Sequence, residues 1–396
     1  MWRVRRTASR RLRPDLAGPL AAPDGRTGAG APLMRPPAAG ETVPAEGPPG
    51  LRLAGIWRGL VWSGLAALVA AVALGVWGDW RHLAAAFGRF SWIAFPIALL
   101  LTLVNASLRF LKWQYYVHRI GARPALLDSV LIFVAGFALS VTPGKTGEFL
   151  KAYLLARRCG APAWKAAPIT LAERATDGFA VLVLAGAGLT IVTGSPWWVA
   201  GSLVVTVAGC AALALLASWA SPGKEWRVPG VMGQRAAAWV ERLAQRPAVA
   251  RLLARLRLSG EGASAILDAR SLLLAVALGT VSWGAESIAL WNALVAFGLP
   301  ATVPLLGSAL AALNAGTLVG AFSLLPGGAG AAEATIAAVL VQHVDREVAA
   351  AATLLIRLCT VWFGAILGIG ALLALKAALV PEAPPARPVP SGAPLP

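Results

Sequence analysis

The chain has 396 residues, of which 58 % are hydrophobic and only 13 % charged, and its mean hydropathy is +0.69. A soluble domain carries about 25 % charged residues, and several apolar runs here reach ~20 residues, enough to cross ~30 Å of hydrocarbon. A polytopic membrane protein follows, so the formal charge of +17 bears on sidedness and not on nucleic acid.

Three cysteines (Cys159, Cys210, Cys359) lie in or beside apolar runs, which indicates no disulfide framework. The scattered His82, His118 and His343 have no metal-ligand spacing. No metal or cofactor is expected.

Residues 1–54 begin MWRVRRTASRRLRPD and stay rich in Arg, Pro, Ala and Gly, without the apolar stretch of a signal peptide. They read as a disordered basic cytoplasmic tail. Residues 377–396 read as a second disordered tail, rich in Pro and Ala. Between them, 55–376 reads as one membrane domain. The pattern predicts six spans: Trp57–Val76, Trp92–Val117, Thr170–Val192, Trp197–Trp219, Ser271–Phe297 and Val348–Leu375. Residues 221–268 form a basic amphipathic segment suited to an anionic leaflet.

Two apolar stretches depart from this pattern. Ala125–Leu155 is interrupted by TPGKTG, and Val303–Val341 by LLPGGAG. The pieces after the breaks, about 14 and about 12 residues, make only ~21 Å and ~18 Å of helix. Both stretches are expected to be re-entrant helical hairpins, which survive at membrane depth when covered by protein or lining a wet cavity. Val303–Leu325 is also long enough to span, which would place the C-terminus outside. With six spans and a cytoplasmic N-terminus, all but Arg81, Arg89 and Arg346 on the outer side and Arg357 inside the last span, among the 35 Lys and Arg, lie on the cytoplasmic side or at its helix ends. That is a strong positive-inside bias.

The two breaks match. Pro143, Gly144 and Gly147 are echoed by Pro326, Gly327 and Gly330, with Gly328 between. A glutamate follows each break, at Glu148 and Glu333, and an arginine lies 31 residues after each proline, at Arg174 and Arg357. In the six-span layout the flanking helices run in opposite directions. The expected fold is therefore an all-α polytopic membrane protein with two hairpins in an inverted repeat, a pattern that points to a site at mid-membrane.

Gly-Lys-Thr in TPGKTGE invites a P-loop reading, but a P-loop needs G-x-x-x-x-G-K-[ST] after a strand. Leu139 stands where the first Gly belongs, and the preceding segment is long and apolar. A helix restart explains these residues better. Pro143 suits a first turn, Thr142 can cap it, and Gly144 and Gly147 allow a tight turn. The free N–H groups of the restarted helix would favour an anion.

Taken together, TPGKTGEFLK, LAERATD and LLPGGAGAAE resemble the lysylphosphatidylglycerol synthase transmembrane family, also called flippase-like, over residues 55–376. The matching positions are Arg109, Trp113, Pro143, Gly144, Gly147, Glu148, Lys151, Glu173, Arg174, Asp177, Pro326, Gly327, Gly328, Gly330 and Glu333. The resemblance implies handling of a lipid whose head group crosses the bilayer of a bacterial inner membrane. Full-length synthases add a soluble aminoacyl-transferring domain; this sequence stops soon after its last span, and lysyl transfer by this chain alone is not expected.

A charge at a span centre costs about 2.5–3.5 kcal/mol on insertion scales, so several together imply partners or a wet cavity. Glu173 and Asp177 are spaced i,i+4 on one helix face beside Arg174, and Asn105 with Arg109 and Ser282 with Glu286 share that spacing. Arg109, Lys145, Lys151, Arg174 and Arg357 are expected to bind a phosphate-bearing head group. Glu148, Glu173, Asp177 and Glu333 would hold these cations when the site is empty. The alternative is that the charges only pair with one another to brace the hairpins. The expected function is translocation of a lipid or lipid-linked head group between leaflets. The alternatives are a membrane transferase acting on a head group and a protein that presents lipid to a separate synthase or glycosyltransferase.

Overall fold

The computed structural model describes residues 53–139, 149–159, 163–219 and 247–379. The first break, with Pro143, Gly144, Lys145, Gly147 and Glu148, lies outside the described residues. So do residues 1–52 and 380–396 of the tails and residues 221–246 of the basic segment.

All regular structure among the described residues is helical. The elements are α1 (Leu53–Gly78), α2 (Trp80–Arg89), α3 (Ala94–Arg119), α4 (Leu126–Leu139), α5 (Leu150–Cys159) and α6 (Ala163–Thr193). There follow α7 (Trp197–Trp219), α8 (Pro247–Ile266), α9 (Ala269–Ala296), α10 (Val303–Phe322) and α11 (Ala331–Leu340). The last two, α12 (Arg346–Arg357) and α13 (Phe363–Leu379), are joined by one π-helical turn, Leu358–Trp362.

Six helices among the described residues are long and apolar enough to cross a membrane: α3, α6, α7, α9, α10 and the continuous α12–α13. With their outward faces of exposed Leu, Ile and Val, such as Leu100, Val204, Leu273 and Ile366, they make the chain a multi-pass membrane protein. The count agrees with the sequence expectation, but the membership differs. Val303–Phe322, expected as the front arm of a hairpin, is an unbroken 20-residue helix that passes the length test alone. Thr302 caps it, its side chain accepting from the Leu305 N–H at 3.4 Å, and a proline stands in its first turn. The expected first span lies within α1, and the chain turns by 91° between α1 and α2 at Asp79, whose carboxylate accepts from the Arg81 N–H. α6 also begins seven residues before its expected start at Thr170, because Pro168 sits inside the helix without ending it.

Lipid tails are as apolar as leucine, so helices in a membrane associate through close packing of small residues. The central crossing of α6 and α10 shows why. A Cβ on Gly188 would lie 2.4 Å from the Ala311 nitrogen and 2.6 Å from the Gly307 carbonyl oxygen. Any larger residue would push the two backbones apart. Around this crossing are two apolar clusters. One gathers Trp113, Ile132, Leu155 and Ile169 from α3 to α6. The other gathers Leu290, Leu313, Ile336 and Ile356 from α9 to α12.

The second break follows α10 directly. Pro326–Gly328 form a single 3₁₀ turn, and Gly327, Gly328 and Gly330 take φ of +61°, +70° and +85°. These left-handed values suit glycine alone at low cost. Gly328 is also pressed against α10, where a Cβ would meet the Gly320 Cα at 2.9 Å. The chain then restarts as α11, ten residues long, or ~15 Å. α5, after the first break, is also ten residues long.

Candidate functional site

On α6, Glu173 and Asp177 are both buried and share one face, as their spacing requires. Each holds a cation from another helix. Lys151, from α5, donates to Glu173 and lies over the rings of Trp113 and Phe133 at 5.1 and 5.5 Å. Lys112, from α3, donates to Asp177 and, at 3.3 Å, to the Thr176 hydroxyl. Asp177 is shared further: Arg109 approaches it to 3.4 Å and Arg174 to 3.9 Å. Four cations thus surround two carboxylates. This pairing offsets the desolvation that isolated charges would suffer at that depth.

The second break builds a smaller set. Glu333 accepts from the Gly330 N–H at 2.7 Å, which satisfies a free donor at the start of α11. Its other oxygen accepts from Arg357 Nε at 2.6 Å, and Arg357 also donates to the Gly327 carbonyl at 2.9 Å. One arginine therefore ties the break, the short helix and the end of α12 together. The π-helical turn begins at the next residue.

A third set joins α3 to α9. Asn105 Nδ2 donates to the Ser282 carbonyl at 3.1 Å and to Glu286 at 3.4 Å, while the Ser282 hydroxyl donates to the Asn105 carbonyl at 3.1 Å. The two i,i+4 pairs visible in the sequence therefore meet face to face.

Between these sets lies a cavity of about 140 Å³, the room of a few water molecules at ~30 Å³ each. Arg109, Arg174 and Arg357 line it together with Asn105, Glu286 and Trp283. Arg109 is flanked by the Phe137 and Trp283 rings at 5.7 and 5.6 Å. The Trp283 indole N–H is buried without a hydrogen-bond partner. Lys112, Lys151, Glu173, Asp177 and Glu333 stand behind the guanidinium groups instead of on the wall. Arg109, Arg174 and Arg357 are thus brought to one cavity. Lys151, Glu173, Asp177 and Glu333 join the layer that holds them, and Lys145 and Glu148 lie outside the described residues.

Lys112 was absent from the sequence-based set. It lies three residues after Arg109 on the same helix face, and that spacing was its only mark. A lysine near the end of a span ordinarily extends to the interface, whereas Lys112 is 1 % exposed. Away from the spans, Asp268 caps α9. Burial would raise its carboxyl, but hydrogen bonds from the Ser271 side chain and N–H and the nearby Arg119 outweigh this and hold it below the usual range. Among the described residues no three His, Cys, Asp or Glu side chains gather as a metal site.

No curated protein matches the chain. The family described as the lysylphosphatidylglycerol synthase TM region matches residues 61–368. That range includes every residue of the three sets and of the cavity wall. A buried charge layer inside a multi-pass helical bundle accords with a family linked to lipid. By this match over most of its length, the chain belongs to the lysylphosphatidylglycerol synthase transmembrane-region family.

Proposed function

We infer that this protein moves a lipid with a phosphate-bearing head group from one leaflet to the other. The observation that carries the reading is the convergence of Arg109, Arg174 and Arg357 on one cavity inside the bundle. Guanidinium groups match phosphate oxygens in planar, two-pronged geometry. Their carboxylate partners hold them in place and in charge balance while no phosphate is present. The cavity admits a phosphate group more readily than a whole head group, so passage would require the surrounding helices to part.

In this reading the protein lies in a bacterial inner membrane with its N-terminus in the cytoplasm, and both glycine–proline breaks are re-entrant. Residues 55–376 form the membrane domain, and 1–54 and 377–396 are tails. Lys145 and Glu148 belong to the same phosphate path. A separate lipid-modifying enzyme would supply or consume the lipid.

Purified protein in liposomes tests the reading with a fluorescent phosphatidylglycerol and a membrane-impermeant quencher. Wild-type protein should expose the inner-leaflet label. Arg174→Gln should abolish that exposure while the protein remains in the membrane at wild-type abundance. No exchange by the wild-type protein would overturn the reading. In that case a new lipid product would point to a transferase, and its absence to a lipid-presenting partner.

A further inference from the structure

A second hollow, of about 530 Å³, opens where the connection from α3 to α4 meets the end of α5 and the start of α6. Arg123, Arg158 and Lys165 line it, together with Asp128 and Cys159. Asp128, the acid on this wall, is engaged by Arg158 at 3.3 Å. Arg158 Nε is nonetheless buried with no hydrogen-bond partner, an unusual state for a buried donor. Arg123 and Lys165 have no carboxylate partner among the described residues. α4 begins on the same wall, so the unpaired N–H groups of its first turn add partial positive charge.

The hollow is also bordered by apolar surface. Leu126 and Leu127, which follow the lining residue Ala125, are 66 % and 69 % exposed. A cationic hollow beside exposed leucines, at the ends of two spanning helices, has the chemistry of a head-group site at the membrane surface.

We propose that this hollow binds the phosphate group of an anionic phospholipid from the adjacent leaflet, with the acyl chains along Leu126 and Leu127. Arg123 and Lys165 supply the charge that Asp128 leaves unbalanced. A water-soluble phosphate ester offers the same anion, but it would leave the leucines uncovered. Such a lipid would fasten α5, whose Lys151 stands in the charge layer, to the corner between α3 and α4. The site is separate from the central cavity and does not depend on transport.

Cys159 on the wall provides the readout. The full chain in detergent is alkylated with N-ethylmaleimide, and the rate at each cysteine is followed by peptide mass spectrometry. Dioctanoyl phosphatidylglycerol should slow Cys159 alkylation about tenfold at ten times its Kd, with Cys210 unaffected. In the Arg123→Gln/Lys165→Gln double variant, protection should need at least about tenfold more lipid, as expected for lost charge-assisted bonds. Arg123→Gln alone, at an exposed loop position, should give a smaller shift and provides the test if the double variant does not elute as a single species. The proposal is overturned if the lipid leaves Cys159 alkylation unchanged, or if the variants are protected as well as the wild type. It is equally overturned if glycerol 3-phosphate or dioctanoyl phosphatidylcholine protects at the same concentration.

Discussion

The short helices α5 and α11 follow comparable glycine–proline breaks, yet they stabilise buried charge in opposite senses. α5 brings a cation, Lys151, to a carboxylate on the long helix that follows; α11 brings a carboxylate, Glu333, to an arginine on the long helix that follows. With Pro143 aligned on Pro326, Arg174 falls on Arg357, but Glu173 falls on Ile356, Asp177 on Thr360 and Lys151 on Ala334. The arginine is the shared element, and each half supplies its counter-charge differently. In the first half a layer of carboxylates is divided among several cations. In the second, one carboxylate is helped by a backbone carbonyl and a helix-end N–H. Removing a counter-charge should therefore cost most where the most cations depend on it.

Asp177→Asn is the strongest test of that contrast. It leaves Lys112, Arg109 and Arg174 without their common anion at a position where the carboxylate is only 6 % exposed. Breaking a buried ion pair from one side costs about 3–5 kcal/mol, and here three cations are affected. The thermal unfolding midpoint in detergent should fall sharply, and folded protein in the membrane should drop with it. An unfolding midpoint within error of the wild type would mean that the layer is solvated and the contrast between the halves is not energetic.

Glu333→Gln should cost less. The amide oxygen can still accept from Arg357 or from the Gly330 N–H, and Arg357 keeps the Gly327 carbonyl. A loss of about 1–3 kcal/mol is expected, because only one cation loses its counter-charge and Arg357 still has the Gly327 carbonyl and the cavity beside it. Because Arg357 lines the cavity, leaflet exchange should fall more than stability does. Destabilisation equal to that of Asp177→Asn would show that the backbone contacts of Arg357 carry little of its stabilisation.

Much of this arrangement was legible in the sequence because its marks are local. The i,i+4 pairs Glu173/Asp177, Asn105/Arg109 and Ser282/Glu286 lie on single helix faces, and the second Pro-Gly-x-x-Gly break takes backbone geometry that few other residues allow. The partners across the bundle were not legible. Nothing near Lys112 in the chain indicates that it meets Asp177, 65 residues later. Whether Lys151 meets solvent or the Trp113 ring depends on how α3, α4 and α5 pack. The length of α10 was legible, but its continuity was read through the break that follows it. The 91° bend after α1 turns on a single residue, Asp79, at φ +60°, which composition and periodicity do not mark.

Thr360→Val should have the smallest effect, and it tests the alignment of the two halves most directly. Thr360 occupies the position that matches Asp177, yet its hydroxyl donates only to the Ile356 carbonyl one turn back, at 2.8 Å. Such a bond contributes about 0.5–1.5 kcal/mol at most, and valine keeps the shape of the side chain. If the second half manages without an acid at this point, Thr360→Val should leave the unfolding midpoint nearly unchanged and leaflet exchange close to wild type. Thr360 also stands on the cavity wall within the π-helical turn that follows Arg357. A large loss of exchange with unchanged stability would therefore mean that the hydroxyl meets the translocated group. The second half would then contact its cargo through a neutral donor where the first half keeps an acid behind its arginines.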